Sequence, residues 1–302
     1  MIQNQPDTIA ALKPITEPEF SRFQKLIYRT AGIHLAPHKK TLLEARLGKH
    51  IRQLGLDSFD AYYKHVVAAD RGDELIRMLD HVSTNETHFF REPRQFEFLE
   101  KKLFEEWRTA AAAGLKPKRI RLWSAGCSSG EEPYSIAMLL LDHFPRHSGW
   151  ELKILATDLS TRILDKAQAA VWPIVKAQEI PEKFLPQYML RGTGSQDGKM
   201  KAGAEIRSLI QFERLNLNDQ RYPLIGRFDA IFCRNVLIYF DNPSRTRVIE
   251  RLIDRLAPDG YLFVGHAESL SGITDRARQV MPTVYRLGAN EARNLATRDA
   301  EL

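Results

Sequence analysis

The sequence has few of the features that secreted, membrane or zinc proteins need. Its 302 residues include two cysteines, Cys127 and Cys233, each at the predicted end of an apolar strand, so we expect neither a structural disulfide nor a zinc site. No apolar run approaches the roughly 20 residues of a membrane-spanning helix. The amino terminus lacks the basic start and apolar stretch of a secretory signal. These absences favour a cytoplasmic protein without membrane insertion.

Several catalytic signatures are also missing. The nine histidines show no metal-ligand spacing and there is no serine nucleophile elbow, so neither a metal cofactor nor serine hydrolysis is indicated. The formal net charge is +6. This positive charge is compatible with an acidic protein, a nucleic acid or a membrane surface as partner, and does not choose among them.

Residues 1–82 carry the pattern of a small helical domain without strand signals. Thr16 and Glu19 form a capping box at the start of a first helix, and Gly32 stands where its C-cap is expected. Apolar residues at helical spacing predict further helices near residues 39–54, 58–69 and 73–81.

The second of these predicted helices concentrates basic charge. Residues 39–54 include five basic residues and one acid, whereas residues 1–82 as a whole include twelve and ten. Arg46, Lys49 and Arg52 fall on the face opposite the apolar side chains. This face is a candidate docking surface for an acidic partner, and an ordinary solvated helix face is the alternative.

From residue 83 to 288, strands alternate with helices, beginning with a helix near residues 93–107. The predicted strands are short apolar runs suited to burial on both faces. Their alternation with helices predicts an α/β domain with a mainly parallel, doubly wound sheet. The polar residues 289–302 are expected to form a mobile tail. The predicted strands span residues 120–125, 152–157, 228–233 and 261–264.

The interval between the second and third of these strands is too long for one βα unit. It contains the glycine-rich segment RGTGSQDGKMKAG, residues 191–203, which is typical of a hairpin turn between short strands. We therefore predict an inserted antiparallel β subdomain at about residues 180–212.

The segment LWSAGCSSGEEPYS, residues 122–135, has the strand–loop–helix form of a cofactor site. Gly126 and Gly130 permit a ligand to approach the backbone closely. Glu131 and Glu132 stand at the helix start, where a dinucleotide would place its pyrophosphate. S-adenosylmethionine has a sulfonium and an ammonium group and no phosphate, so it suits these acids better. Alternatively, the two glutamates only complement the helix dipole.

Polar residues also follow the other predicted strands. Asp158 ends the second strand, where doubly wound folds place an acid on ribose hydroxyls, and the alternative is that it caps the next helix. Arg234 and Asn235 follow the strand at 228–233, at the sheet edge where such folds bind ligands. Tyr239 is either a core aromatic or a ring that faces the sulfonium by cation–π attraction.

The segment STNETHFFREP, residues 83–93, joins the two predicted domains, and spacing alone assigns no role to its Arg91. Further motifs follow it in order over nearly the full length: WSAGCSSGEEPYSIAM, ATDLS, RGTG, LNL, FDAIFCRNVLIYFD and PDGYLFVGHAES. In these motifs the chain resembles the chemotaxis receptor glutamate methyltransferases, the CheR family. The resemblance implies a Rossmann-like, class I S-adenosylmethionine-dependent methyltransferase domain, a helical amino-terminal domain and an inserted antiparallel β subdomain.

The resemblance also implies roles for particular residues. The transferred methyl group is expected near Arg91 and Tyr239, which makes them the candidate catalytic residues. No metal ion is implied. The residues expected to contact S-adenosylmethionine, or the product S-adenosylhomocysteine, are Asn85, Thr87, Arg91, Glu131, Asp158, Asn216, Leu217, Arg234 and Asn235.

The implied reaction is methyl transfer to glutamate γ-carboxylates of chemoreceptors, which forms methyl esters. A glutamate with an unperturbed pKa of roughly 4.3 is ionised at neutral pH, so no general base is required. The implied partners are chemoreceptor cytoplasmic helices, met by the face with Arg46, Lys49 and Arg52, and a receptor C-terminal peptide added as a strand to the β subdomain. We expect a monomer that binds no nucleic acid.

Three other functions fit parts of the sequence. The same fold serves methyltransferases of small molecules, nucleic acids or other signalling proteins, and the net positive charge is compatible with these. A protein that keeps the cofactor pocket only as a sensor is disfavoured by the presence of Arg91 and Tyr239. A nicotinamide-dependent oxidoreductase is disfavoured by the two acids at the helix start.

Overall fold

The computed structural model describes residues 12–68, 72–288 and 291. The chain divides into two compact units, Met1–Thr84 and Asn85–Leu302, and the predicted boundary at residue 82 lies just before this division. Apart from Glu291, the predicted tail at 289–302 lies outside the described residues. No helix in the described ranges is long and apolar enough to cross a bilayer.

The first unit is helical in its described part, as predicted. The capping box forms at the start of the first helix: Thr16 Oγ1 accepts the Glu19 N–H at 3.4 Å, and the Glu19 carboxylate accepts the Thr16 N–H at 2.8 Å. Gly32 ends this helix in the left-handed region, with φ 70°, where glycine carries no Cβ penalty. The helices are α1 Glu17–Ala31, α2 Lys40–Gln53, α3 Phe59–Val67 and α4 Gly72–Val82, with a 3₁₀ turn at Pro37–Lys39.

A buried aromatic and polar cluster holds these helices together. The Phe23 ring lies 6.3 Å from that of Phe59 and 6.1 Å from that of Tyr62. The buried Glu74 Oε1 accepts the Tyr62 hydroxyl at 3.0 Å and lies 2.6 Å from His50 Nε2. Because an unpaired buried carboxylate is costly, these two partners are what allow Glu74 to lie inside the helical core.

The second unit contains two β-sheets and the helices that cover them. Its strands are β1 Arg119–Ala125, β2 Glu151–Asp158, β3 Val171–Pro173, β4 Met189–Arg191, β5 Lys199–Ala202, β6 Ile210–Arg214, β7 Phe228–Cys233, β8 Leu256–Val264, β9 Ala277–Met281 and β10 Val284–Leu287. Its α-helices are α5 Pro93–Phe98, α6 Phe104–Ala112, α7 Glu131–His143, α8 Thr161–Ala169, α9 Leu185–Tyr188, α10 Ala204–Arg207 and α11 Asn242–Ile253. A π-helical turn, Leu99–Leu103, joins α5 to α6, and 3₁₀ turns span Arg146–Ser148, Ile174–Glu179, Glu182–Phe184, Gly194–Gln196 and Leu237–Tyr239.

The main sheet has seven strands in the order β6-β2-β1-β7-β8-β10-β9. The first five are parallel, whereas β10 runs antiparallel to both β8 and β9. This order confirms the predicted doubly wound, mainly parallel sheet. The prediction did not include β6, β9 and β10. The first two are edge strands whose side chains are only partly buried, and β10 is only four residues long.

The central strands are buried on both faces, as their apolar sequences predicted. Leu122 packs into a core with α7, and its neighbour Trp123 packs into a second core with α11 on the other face. Successive strand residues point to opposite faces of a sheet. The central parallel strands are therefore held between two apolar layers.

The inserted β subdomain is a three-stranded antiparallel sheet in the order β3-β5-β4. It begins earlier than the predicted range of 180–212, since β3 starts at Val171, and residues 210–212 belong to the edge strand β6 of the main sheet. Trp172 explains the early start, because its ring is buried 5.1 Å from Tyr134 on α7 and 5.0 Å from Phe89. The insertion thus forms part of the core around α7.

Candidate active site

The predicted site residues gather at the carboxyl ends of the parallel strands. The register pairs Ala125 at the end of β1 with Thr157 of β2, and Ser124 with Phe232 of β7. The loops that follow these strands therefore emerge at the same sheet edge, where doubly wound folds bind their ligands.

The glycine loop after β1 is fixed by Asp158 at the end of β2. The Ser128 N–H donates to Asp158 Oδ2 at 2.9 Å, and the Ser160 N–H donates to Asp158 Oδ1 at 3.0 Å. Asp158 therefore supports both the loop and the start of α8, which is the alternative role predicted for it. A ribose contact is compatible with this support, because each carboxylate oxygen accepts more than one hydrogen bond.

Residues 85–92 form an irregular segment that lies across the start of α7. Both Phe89, which is fully buried, and Phe90, whose ring stacks on Phe184 at 5.6 Å, pack into the core. Main-chain groups of the segment are tied to the glycine loop, to α7 and to the insertion. These bonds join Asn85 O to Ser128 Oγ at 2.9 Å, Thr87 O to Lys176 Nζ at 3.0 Å, Phe89 N to Glu179 Oε2 at 3.0 Å and Phe90 N to Ser135 Oγ at 2.9 Å.

The two acids at the start of α7 are both paired with cations of the same chain. Glu131 is 1% exposed, and its Oε1 lies 2.7 Å from Lys176 Nζ. Glu132 lies 2.5 Å from Arg234 Nε and also accepts the Ser124 hydroxyl at 2.6 Å. The negative charge that the sequence indicated for this loop is therefore compensated internally. A charge argument based on the two glutamates alone is insufficient to select a cationic ligand.

Arg234 occupies the centre of a buried network beneath the site. Its guanidinium is almost fully buried and donates to the Arg91 carbonyl oxygen at 2.5 Å and to Gln95 Oε1 at 3.1 Å, in addition to Glu132. It also lies 5.4 Å from the centre of the Phe96 ring. In this position Arg234 supports the segment that carries Arg91, and its contact with the cofactor stays a prediction.

Asn235, the next residue, has a different environment. Its backbone is left-handed, with φ 59°, and its N–H donates to Glu268 Oε2 at 2.9 Å. Its side-chain Oδ1 is buried and has no hydrogen-bond partner in the described part of the chain. A buried acceptor without a partner is costly, so this oxygen is a candidate contact for a ligand N–H group.

Arg91 and Tyr239 are both half-buried. Arg91 Nη1 donates to the Glu86 carbonyl at 3.3 Å, and Tyr239 ends the 3₁₀ turn Leu237–Tyr239, one short turn after Asn235. Neither is a fully buried core residue. Each side chain is therefore accessible to a ligand or an acceptor.

Asn216 and Leu217 follow the edge strand β6 and reach the same sheet edge. The Leu215 N–H donates to the Asp158 carbonyl at 3.0 Å, which places the loop beside the end of β2. Asn216 Oδ1 accepts the Asn218 N–H at 3.0 Å, and the Leu217 carbonyl accepts the Tyr222 hydroxyl at 2.8 Å. Asn216 and Leu217 are thus largely buried in a well-bonded turn next to Asp158.

Backbone strain is concentrated around this edge. Six non-glycine residues in the described ranges have positive φ, a conformation that costs of order 1–3 kcal/mol and is often found at functional sites. Four of the six belong to the segment at 85–92, the glycine loop and the turn after β7. These four are Phe90, Glu92, Ser128 and Asn235.

The two cysteines lie at this edge but are not candidate nucleophiles. Both are free and fully buried. Burial raises the pKa of the Cys127 thiol well above its ordinary value, and the nearby Asp158 carboxylate raises it further. Burial likewise raises the pKa of Cys233. Because the thiolate is the reactive form, neither side chain is suited to covalent catalysis.

Comparison with protein families agrees with this geometry. The family model described as "CheR methyltransferase, SAM binding domain" matches residues 85–286, and the one described as "CheR methyltransferase, all-alpha domain" matches residues 18–83. The chain belongs to the CheR methyltransferase family. Its fold class is therefore that of the class I methyltransferases, its cofactor is S-adenosylmethionine, and it is a chemotaxis protein methyltransferase, as the motif resemblance predicted.

Curated relatives are similar over nearly their whole length. A chemotaxis protein methyltransferase of Borreliella burgdorferi is 36% identical, and the match covers 90% of this chain and 95% of the relative. That of Salmonella typhimurium is 36% identical over 92% of this chain and 93% of the relative. Chemotaxis protein methyltransferase 2 of Pseudomonas aeruginosa is 37% identical over 89% and 93%.

The residues at the sheet edge fit the cofactor of this family. Asp158 offers carboxylate oxygens suited to hydroxyl groups. The two loop glycines were predicted to admit a ligand to the backbone, but the space beside Gly126 is filled by Val236 and that beside Gly130 by Ala167 and Tyr134. The unpartnered Oδ1 of Asn235 is an acceptor suited to an ammonium group.

Three residues that shape the site were not singled out from the sequence: Lys176, Ser128 and Glu268. Ser128 and Glu268 lie inside motifs that were recognised, but their hydrogen bonds depend on loop conformation. Lys176 lies in the insertion, far along the sequence from Glu131, the acid it pairs with, and no local pattern indicates such a contact.

Gly126 provides a test of how tightly the loop is packed. Its φ is 83°, and a Cβ placed there would lie 2.5 Å from Val236 Cγ2. We expect Gly126→Ala to lower the free energy of unfolding by about 2–4 kcal/mol, because a left-handed conformation and a steric clash both oppose it. Urea denaturation followed by tryptophan fluorescence measures this, since all four tryptophans lie in the second unit.

Gly149 is the matched control, because it also has a positive φ of 76° but a Cβ added there would meet no atom within 4 Å. Gly149→Ala is expected to cost only about 1–2 kcal/mol, from backbone conformation alone. Equal losses for the two variants would contradict the close packing of Gly126 against Val236.

Proposed function

We propose that this protein transfers the methyl group of S-adenosylmethionine to glutamate γ-carboxylates of chemoreceptors and forms glutamyl methyl esters. The observation that carries the proposal is the charge balance of the site. Lys176 and Arg234 compensate Glu131 and Glu132, while the half-buried Arg91 remains accessible at the same edge. An anionic acceptor is therefore not repelled by the acids of the loop, and Arg91 attracts it.

The proposed chemistry needs placement more than proton transfer. Bound S-adenosylmethionine supplies an electrophilic methyl group on its sulfonium. A glutamate acceptor has an ordinary pKa of about 4.3 and is already an anion at neutral pH. Holding the acceptor carboxylate in line and excluding water can lower the barrier by about 7–11 kcal/mol. In this proposal Arg91 orients the acceptor carboxylate, and the Tyr239 ring lies near the transferred methyl group.

The remaining predicted residues are proposed to hold the cofactor. Asp158 is proposed to accept the ribose hydroxyls, and Asn235 Oδ1 to accept the ammonium group. Glu131 adds negative charge next to the ammonium group, within its pair with Lys176. The other proposed contacts come from Asn85, Thr87, Asn216, Leu217 and Arg234, and from Arg91 if it meets the cofactor carboxylate instead of the acceptor.

The chemical nature of the product tests the proposed reaction. Membranes that contain chemoreceptors are incubated with the protein and S-adenosylmethionine labelled in its methyl group, and the labelled protein is then treated with base. We expect volatile labelled methanol, because a carboxyl methyl ester hydrolyses in base. An excess of S-adenosylhomocysteine in a parallel reaction controls for transfer by this site. Label that is stable to base would contradict ester formation.

Arg91→Ala tests the proposed catalytic role of Arg91. We expect kcat for receptor methylation to fall at least about 100-fold, a loss typical of removing a charged group that stabilises the reacting centre. The melting temperature should stay unchanged, because only the half-exposed side chain is removed. The matched control is Arg94→Ala, since Arg94 is exposed and lies in the following helix α5, and this variant should retain activity.

Calorimetry with S-adenosylhomocysteine separates the two roles open to Arg91. If Arg91 orients the acceptor, the Kd of Arg91→Ala for S-adenosylhomocysteine matches that of the wild type. A large loss of affinity would instead place Arg91 on the carboxylate of the cofactor. Full activity of Arg91→Ala would refute both assignments.

The basic face of α2 is proposed to dock the methylated receptor helices, but its three predicted residues are not equivalent. The Arg46 guanidinium donates to the Val82 carbonyl oxygen and, at 2.7 Å, to Thr84 Oγ1, so it supports the fold of the first unit. Lys49 and Arg52 are exposed and form no ion pair within the described ranges. The proposed docking contacts therefore come mainly from Lys49 and Arg52.

A double charge reversal, Lys49→Glu with Arg52→Glu, tests this docking face. We expect receptor methylation to fall about tenfold at low salt, because opposite charges that steer association become repulsive. The affinity for S-adenosylhomocysteine should not change. Lys13→Glu with Lys25→Glu, at two other exposed positions of the first unit, is the control for the same change of net charge. Unaltered receptor methylation in the double variant would eliminate this docking face.

We also propose that the three-stranded sheet tethers a receptor C-terminal peptide by strand addition. Its two edges are β3 and β4. β3 ends in Pro173, which has no N–H to donate, whereas the edge strand β4 carries Leu190 at 59% exposure. β4 is therefore the proposed receiving edge. Repeating the methylation assay with receptors that lack their C-terminal peptides tests the tether.

A further inference from the structure

Glu268 lies in the motif PDGYLFVGHAES, in the turn that follows β8, and is 5% exposed. Its Oε2 accepts the N–H groups of Asn235 at 2.9 Å and of Gly265 at 2.6 Å, and its Oε1 accepts the Ile238 N–H at 3.2 Å. One buried carboxylate thus collects three backbone donors, two of them from the turn after β7 that carries Asn235 and Tyr239.

Gly265 brings the two turns into direct contact. A Cβ at this position would lie 2.5 Å from Asn235 Nδ2 and 2.8 Å from Asn235 N. Only glycine permits this approach, because real Cβ atoms do not come so close to backbone or side-chain nitrogen. Asn235 is therefore held between the Gly265 backbone and the Glu268 carboxylate, in a left-handed conformation that is rare for residues other than glycine.

From this geometry we infer that Glu268 is a positioning residue for the cofactor site. It holds the turn at 235–239 so that Asn235 Oδ1 faces the ligand and Tyr239 lies at the reacting end. Glu268 itself does not touch the cofactor in this arrangement, since its carboxylate oxygens face backbone N–H groups. The inference rests on the proposed function, because it takes Asn235 and Tyr239 as the groups that meet the cofactor and the methyl group.

A carboxylate is suited to this task in a way that an amide is not. Burial raises the pKa of Glu268, and the backbone N–H donors of Gly265, Asn235 and Ile238 oppose that rise. The ionised carboxylate accepts at both oxygens. A glutamine has only one accepting oxygen, so it can accept from the backbone N–H donors on one side alone. Its NH₂ group then faces a backbone N–H donor on the other side, where no hydrogen bond can form.

The test compares Glu268→Gln with the wild type by calorimetry with S-adenosylhomocysteine and by methylation kinetics. We expect the Kd to rise about tenfold, the effect of roughly one lost hydrogen bond to a charged group, and kcat to fall as well. If Glu268→Gln does not fold, Glu268→Asp replaces it, because aspartate keeps the charge but withdraws it from the three donors. Asn235→Ala is measured alone and combined with the Glu268 variant.

Asp229→Asn is the matched control for stability. Asp229 is also a buried carboxylate that accepts a backbone N–H, from Arg121 at 2.7 Å, and it pairs with Lys116. It lies at the amino end of β7, whereas Asn235 follows the carboxyl end of the same strand. Asp229→Asn should lower the melting temperature as Glu268→Gln does, but leave the Kd unchanged.

The combined variant distinguishes positioning from general stability. If Glu268 acts through the turn, its substitution adds little to the loss already caused by Asn235→Ala, because coupled residues are not additive. Full additivity, a Kd for Glu268→Gln equal to that of the wild type, or an equal loss in Asp229→Asn would each overturn the inference. Failure of the wild type to bind S-adenosylhomocysteine or to methylate receptors would instead refute the proposed function.

Discussion

The rest of the site depends on the hydrogen bonds and the ion pair that the buried guanidinium of Arg234 forms. It joins three parts that are distant in sequence: the end of β7, the start of α7 through Glu132, and the irregular segment at 85–92 through the Arg91 carbonyl. A buried charge is tolerated only when it is paired and hydrogen-bonded. Each of these partners is therefore required by Arg234, and each is fixed in place by it. Removing any one would leave a buried charge or acceptor unsatisfied.

Internal ion pairs also compensate the negative charge of the cofactor loop. In the sequence, two adjacent glutamates at the start of a helix indicate a cation-binding site. In the structure Lys176 and Arg234 compensate these two glutamates, so the start of α7 does not carry an unpaired negative charge. The proposed transfer to a carboxylate requires this balance, because the site would hold a cationic cofactor and an anionic acceptor side by side. An uncompensated acidic loop would bind the first and repel the second.

Patterns in short stretches of the sequence predicted those parts of the fold that depend on interactions between residues close in sequence. The capping box at Thr16, the glycine C-cap at Gly32 and the buried central strands all follow from nearest neighbours in sequence or from hydrophobic spacing. The convergence of Asp158 and Asn235 at one edge also followed, since parallel strands share their carboxyl ends.

Contacts between residues distant in sequence could not be predicted from the sequence patterns. The bounds of the insertion were wrong at both ends, because Trp172 is recruited into the core around α7 and Ile210–Arg214 is recruited as an edge strand of the main sheet. Arg46 was predicted as a docking residue from its helix face alone. Its bond to the Val82 carbonyl depends on how α4 packs in the first unit, which periodicity does not describe.

Arg234 and Asn235 are consecutive residues of one short turn, but their side chains have different environments. Arg234 turns into the protein and is satisfied by buried partners, whereas Asn235 presents an acceptor that has none in the described part of the chain. The left-handed backbone of Asn235 costs free energy, and the hydrogen bond from its N–H to Glu268 helps to offset that cost. If Asn235 meets the cofactor as proposed, this strained turn places a ligand contact directly beside its buried support, and Phe90, Glu92 and Ser128 are strained at the same edge of the sheet.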